Sequence, residues 1–348
     1  MKKKILLVLL LLLLCCGCGK NETNKKEQSN NKKEDVQIKE ELKNNEETKQ
    51  KKVTIVDLDS NKRPIAVMIN THKQARPQAG LSDAIIVYEL MVEGGITRMM
   101  ALYNQDFEEK KIGSIRSSRH NYLDYVLEND AIYVHWGGSD VAYDHIKNLK
   151  LDHIDGMVYG NKYFTTDSSL KRSKEHTRFS SSDLIKKAIA DKKFRTTTDK
   201  GYLLNYTAEE VDLSKKEDAK VANNVTIKYS SYQTVAYEYN ALEKVYYRSM
   251  SGKKHDDLVT GEQYHFKNII AYDVQYDSYE GTKLRDLKNI GSGTGVYITN
   301  GYSIPIKWTK DSRAGQTKYA YMDGTEIDVS DGNTFIQIYP KDGKLTIN

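Results

Sequence analysis

The stretch A84-I-I-V-Y-E-L-M-V-E-G-G-I-T-R-M-M-A-L-Y103 decides how the first half of this chain folds. Ala84 to Tyr88 is an unbroken apolar run, the pattern of a strand buried on both faces. Gly94 and Gly95 supply a turn, and Ile96 to Tyr103 returns as a second strand. Glu89, Glu93 and Arg98 interrupt this apolar run with charge. The glutamates are four apart, so they share a face in a helix and equally in a strand. If Arg98 returns beside them, the trio either closes the end of a hairpin with an ion pair or lines a ligand cleft. In the second case, crowding separates the two carboxyl pKa values into an acid and a base.

Outward from this hairpin, P64-I-A-V-M-I69 and D130-A-I-Y-V-H135 are further buried-strand runs. The helix candidates 118–128, 139–148 and 181–190, each opened by serine, alternate with them. Strands alternating with helices predict an α/β domain over 53–200 with a mixed or mostly parallel sheet. Beyond Val221 the runs become short, β-branched and aromatic, separated by turns such as S251-G-K-K and S330-D-G-N. That grammar predicts an antiparallel all-β domain over 221–348, with 201–220 as the linker and an α+β chain overall. Seventeen of the 25 tyrosines follow Gly201, which suits sheet packing rather than a sugar-stacking platform. G291-S-G-T-G295 lacks the Lys-Ser/Thr of a phosphate loop and reads as a turn, and H255-D-D257 reads as local turn bonding.

The amino terminus gives an address. Three lysines precede the aliphatic run Ile5 to Leu14, which is too short to cross a bilayer and has the layout of an export signal. The run ends in C15-C-G-C-G19, the pattern of a lipoprotein signal, with Cys18 as the acylation candidate and Cys16 as the alternative. Residues 1–18 are thus read as signal peptide and 19–52 as a polar tether too poor in apolar residues to fold. A flexible coil of about 33 residues holds its cargo on the order of 30 Å from the membrane. The expected location is the outer face of the cytoplasmic membrane, lipid-anchored.

All three cysteines lie in the signal, so a disulfide, a thiolate metal site and a cysteine nucleophile are excluded from the folded part. The formal charge of +5 resides in Lys2 to Lys4 and in the tether, leaving the remainder neutral. That argues against a nucleic-acid partner, which needs a net basic face.

Three stretches of the first half resemble the YerB-like lipoproteins of low-GC Gram-positive bacteria. They are R63-P-I-A-V-M-I-N70 with A75-R-P-Q-A-G-L-S-D83, V87-Y-E89 with V92-E-G-G-I-T-R98, and I112-G-S-I-R-S-S-R119 with A131-I-Y-V-H-W-G-G-S139. H255-D-D-L-V-T-G261, G291-S-G-T-G-V-Y297 and the run from Thr334 to Pro340 extend the likeness through the second half. The resemblance implies a two-domain envelope lipoprotein of unassigned domain function, and it supplies no catalytic residue.

Chemistry must therefore come from the residues themselves. Arg116, Ser117, Ser118 and Arg119 lead into a helix start, where free N–H groups and arginines suit a phosphate or carboxylate. In V134-H-W-G-G-S-D140, Gly137 and Gly138 follow a strand end, the place where ligands gather in open α/β sheets. Asn70, His72, His135 and His176 are expected on the same rim. No two of His72, His135, His176 and Glu89 stand at a metal-ligand spacing on one element, so no metal or cofactor is expected.

Three functions fit this rim. The first is a module binding an anionic or glycan ligand of the envelope through Asn70, His72, Arg98, Arg116, Ser117, Ser118, Arg119, Gly137, Gly138 and His176. The second is a hydrolase with Glu89 and Glu93 as acid and base and His135 assisting. The third is a scaffold whose β half docks a partner protein. The binding module is favoured, because no complete nucleophile-base arrangement can be read.

Overall fold

The computed structural model describes residues 52–348. The export signal, Cys18 and the tether read from the sequence lie outside the described residues, apart from Lys52 at the tether's end. The first half contributes β1 (Ile65–Asn70), β2 (Ile86–Met91), β3 (Thr97–Tyr103), β4 (Ile132–His135) and β5 (His153–Asp155). Its longer helices are α1 (Tyr122–Glu128), α2 (Asp140–Asn148) and α3 (Ser182–Lys192). Ser139 caps α2 by accepting the Ala142 N–H, and Ser181 caps α3 through Leu184. Both helices begin where a serine oxygen can satisfy a first-turn donor.

The second half contributes β6 (Asn224–Lys228), β7 (Thr234–Asn240), β8 (Val245–Met250), β9 (Asn268–Val274), β10 (Gly291–Thr299), β11 (Tyr302–Lys310), β12 (Thr334–Pro340) and β13 (Lys344–Ile347). An 11-stranded mixed sheet draws on both halves. Its order begins with Lys220–Val221 and continues β11-β10-β9-β12-β2-β3-β1-β4-β5, with Lys318–Tyr321 paired to β11. Strand β12 lies parallel to β2, with Glu89 opposite Gln337, and parallel to β9 on its other side. The second-half strands are otherwise largely antiparallel. This parallel pair forms because the β10–β11 hairpin between β9 and β12 provides a connection long enough to return the chain in the same direction.

A second, six-stranded antiparallel sheet, β13-β6-β7-β8 with two short strands on β8, packs over one face of the large sheet. Side-chain alternation sends Val67, Val87 and Phe335 to that face, where they meet Val225, Tyr237 and Tyr246 and, on the same face, Ile185 of α3. Ala66, Tyr88 and Ile336 point the other way, onto α1 and Tyr206. The chain is thus α+β. The expected turn G291-S-G-T-G295 is instead the opening of β10. Its glycines permit close approach: a Cβ on Gly293 would sit 2.7 Å from Trp308 Nε1, and one on Gly295 would sit 2.7 Å from the Ala271 carbonyl.

Candidate functional site

β1, β2, β4 and β5 run in one direction, and β3 is antiparallel between β1 and β2. Asn70, Met91, His135 and Asp155 therefore end their strands on one edge, and Arg98, second in β3, lies there opposite Asn70. This edge is the rim the sequence points to, but the side chains on it divide into three groups.

The first group is sealed. Glu89, next to Gln337, faces the second sheet and is fully buried beneath it. Its Oε2 is 2.6 Å from Nη2 of Arg248, which is equally buried. Thr97 Oγ1 and Gln337 Nε2 donate to the same carboxylate at 2.5 and 3.1 Å. Arg248 continues to His255 Nδ1 at 2.6 Å, and His255 Nε2 lies 2.8 Å from Gln78 Oε1. A guanidinium only donates, so Nδ1 carries the lone pair and Nε2 the proton.

Glu89 and Glu93 therefore do not form the acid-base pair expected of a hydrolase. The even spacing holds only while the strand continues, and β2 ends at Met91. Glu93 turns outward and receives Arg119 Nε at 2.9 and 3.0 Å, with Arg98 3.8 Å away. Partial burial opposes its ionisation, but the hydrogen bonds and charge of Arg119, then Arg98, bring its pKa to about 2. Such a carboxyl group holds no proton to donate near neutral pH. Arg98 itself, 5 % exposed, is lowered to about 10 by burial and by Arg119, and it donates to the Ser117 carbonyl at 2.6 Å.

The second group bonds inward at the end of β4. His135 is fully buried, with Nδ1 2.8 Å from the Gly137 carbonyl and Nε2 2.9 Å from His153 Nδ1. Burial lowers its pKa to about 4 against the pull of Asp155. The Gly137 N–H donates to Asp155, its carbonyl accepts from the Ser118 N–H, and Tyr133 donates to the Ser118 hydroxyl. Gly138 lies against the Tyr143 ring. His135, Ser118 and Gly137 are thus consumed by internal bonds and Gly138 is covered by the Tyr143 ring, so none of them is opened to a ligand. The strand end was legible, whereas Asp155, which fills it, comes from β5 and carries no local signal near Gly137.

The third group lies where the rim approaches solvent, with Asn70 and His176 buried and His72 half-buried above them. Asn70 Nδ2 lies 2.8 Å from His176 Nδ1, and the His176 ring stacks on His72 at 4.9 Å. Burial first, then the positive charge of Arg116, lowers both histidine pKa values. Arg116 is half-buried, and Glu175 and Glu93 answer its charge only at longer range. Ser117 beside it is half-buried as well.

From His72 a cleft of about 770 Å³ opens between the loop after β1 and the ends of β6 and β8. Lys73, Arg76, Lys253 and Lys254 line it, and Asp256 is the one carboxylate among the described lining residues. Tyr232 stands at its edge, 76 % exposed. Arg76 is held in place by hydrogen bonds to the Thr71 carbonyl and Gln233 Oε1.

The sequence reading missed Lys73, Arg76, Tyr232, Lys253 and Lys254. S251-G-K-K was legible as a turn, but its lysines gain meaning only once the second sheet is folded over the rim. Asp257, in H255-D-D257, accepts the N–H groups of Val259 and Thr260, as a loop aspartate does. Among the described residues no three His, Cys, Asp or Glu side chains are placed to hold a metal ion.

Comparisons with known proteins agree with this architecture. Residues 53–195 match the N-terminal domain, and residues 225–336 the C-terminal domain, of the protein of unknown function DUF3048. A Bacillus subtilis (strain 168) protein named "Putative lipoprotein YerB" is 29% identical over 286 residues, which are 81% of this chain and 82% of that protein. The crystal structure of YerB protein from Bacillus subtilis superposes with a TM-score of 0.71 at 27% identity, covering 82% of this chain and 94% of that one.

Proposed function

Because the chain belongs to the DUF3048 family of YerB-like proteins, we propose that it is a membrane-associated envelope lipoprotein whose cleft binds an anionic ligand. The anchor is the lipid on Cys18, on the outer face of the cytoplasmic membrane, and the tether gives the cleft reach into the envelope. The ligand is a phosphate- or carboxylate-bearing envelope polymer. The observation that carries this reading is the charge of the cleft: His72, Lys73, Arg76, Lys253 and Lys254 face one hollow with a single carboxylate. Clefts lined by one sign of charge concentrate ligands of the other. Arg119 is spent on Glu93 and Arg98 on Ser117, which leaves Arg116, beside His72, as the rim arginine suited to extend the site. Tyr232 offers an aromatic face to the sugar of a glycan.

An anion seated here favours protonation of the stacked histidines, so binding and proton uptake are linked. The test follows the imidazole resonances of His72 and His176 in the full chain, held in a polyoxyethylene detergent, as inorganic phosphate is added. The reading expects both pKa values to rise with phosphate and Arg116→Ala to reduce that rise. Resonances that ignore phosphate up to roughly 10 mM, a concentration that saturates even a weak millimolar site, would contradict it.

A further inference from the structure

One residue beyond Arg119 the chain delivers His120 into a separate hollow of about 320 Å³. It lies between α1, α2 and the segment that carries the short strands Tyr276–Ser278 and Arg285–Leu287. His120 is 4 % exposed, yet neither ring nitrogen has a hydrogen-bond partner among the described residues. The Asp286 carboxylate, 3.8 Å from Nε2, is beyond hydrogen-bond reach. Native structures rarely leave buried polar atoms unsatisfied, so both empty nitrogens point to a bonding group that enters from the hollow.

The surroundings specify the chemistry of that group. Asp124 is 2.6 Å from Arg313, and Asp286 is 2.7 Å from Lys288, so each carboxylate is matched by a cation and the hollow is close to neutral. Arg313 also reaches His145, whose ring lies edge-on to His120 at 5.8 Å. Burial, then His145, holds the His120 pKa below 6.5 despite Asp286 and Asp124. The ring is therefore neutral at pH 7 and offers one N–H and one lone pair. Hydroxyl groups both donate and accept, so two of them on one polyol answer the two nitrogens. The carboxylates accept further hydroxyl donors, and the Tyr279 ring, 4.5 Å from His120, presents an aromatic face. With no net charge to attract phosphate or ammonium, and room for one small ring, the hollow suits a polyol of sugar size.

We propose that His120, Tyr279 and Asp286 bind a single neutral saccharide unit, an uncharged hexose or N-acetylhexosamine, at a site separate from the cationic cleft. The site stands whether or not the cleft binds an anion, because the two share no lining residue.

The test titrates the full chain, in a polyoxyethylene detergent that carries neither sugar nor phosphate, with glucose and with N-acetylglucosamine. Imidazole resonances of His120 and His145 report binding, and His120→Gln assigns the first. The expected result is a saturable shift with a millimolar Kd for one of the two sugars, about tenfold weaker or more in Tyr279→Ala and Asp286→Asn. Asp286 is partly exposed and Asn keeps its size, so this variant keeps the fold. No saturable shift from either sugar up to roughly 50 mM overturns the proposal. A response to zinc ions with none to sugar, or an equal response to inorganic phosphate, also overturns it.

Discussion

At the scale of single residues, the determining pair is Glu89 and Arg248. Each is fully buried, and each is the other's counter-charge across the two sheets. A buried ion pair adds little over an apolar pair, but removing one partner strands the other in a medium that cannot solvate it. Glu89→Gln should therefore destabilise the folded chain by about 3–5 kcal/mol, read from the denaturant midpoint; a loss below about 1 kcal/mol would mean that the pair is solvated. The histidines set a second expectation. Burial lowers the pKa of His72, His120, His135, His145, His153, His176 and His255 below 6.5. The unfolded chain then binds more protons than the folded one once the pH drops below 6.5. Stability contributed by the neutral rings is present above that pH and is lost on acidification, at up to about 1.4 kcal/mol per pH unit for a fully buried ring such as His135 or His255 and much less for half-exposed His72 and His145. Thermal unfolding should move to clearly lower temperature between pH 7.5 and pH 5, and a midpoint that stays flat would contradict these environments.

At the scale of elements, local grammar carried far. The hairpin at Gly94 and Gly95, the serine caps of α2 and α3 and the strand ends at Asn70 and His135 were all legible, because each depends on residues within a few positions. The pairing of Glu89 with Gln337 was not, because 248 residues separate the two and no local pattern says which strand of the second half inserts beside β2. For the same reason the choice between an ion pair and an acid-base pair stayed open in the sequence: nothing around Glu89 reveals the arginine that β8 lays over it. The glycines of β10 make a related point, since their role rests on a neighbouring strand rather than on a turn. Gly295→Ala should cost about 1–3 kcal/mol by overpacking against the Ala271 carbonyl. Equal stability of the variant and the parent in urea would show that β9 and β10 separate more easily than this register allows.

At the scale of the whole molecule, the family models divide the chain at 53–195 and 225–336, whereas the large sheet runs through both parts. β12 fills the place between β2 and β9, so the first half alone leaves β2 an open apolar edge. Calorimetry of the full chain should accordingly show one cooperative transition for residues 52–348; two independent transitions would mean that the halves fold separately. The same joining creates the cleft, because Lys73 and Arg76 come from the end of β1 and Lys253 and Lys254 from the second sheet. Charge collected from both halves is the core of the functional account, and equilibrium binding of the full chain to a poly(glycerol phosphate) polymer tests it most directly. The account predicts binding that weakens steeply between about 50 and 200 mM salt, with the Lys253→Ala, Lys254→Ala double variant losing roughly tenfold or more in affinity and retaining a shallower salt slope. Affinity that is unchanged in the double variant, or that ignores salt, would contradict it.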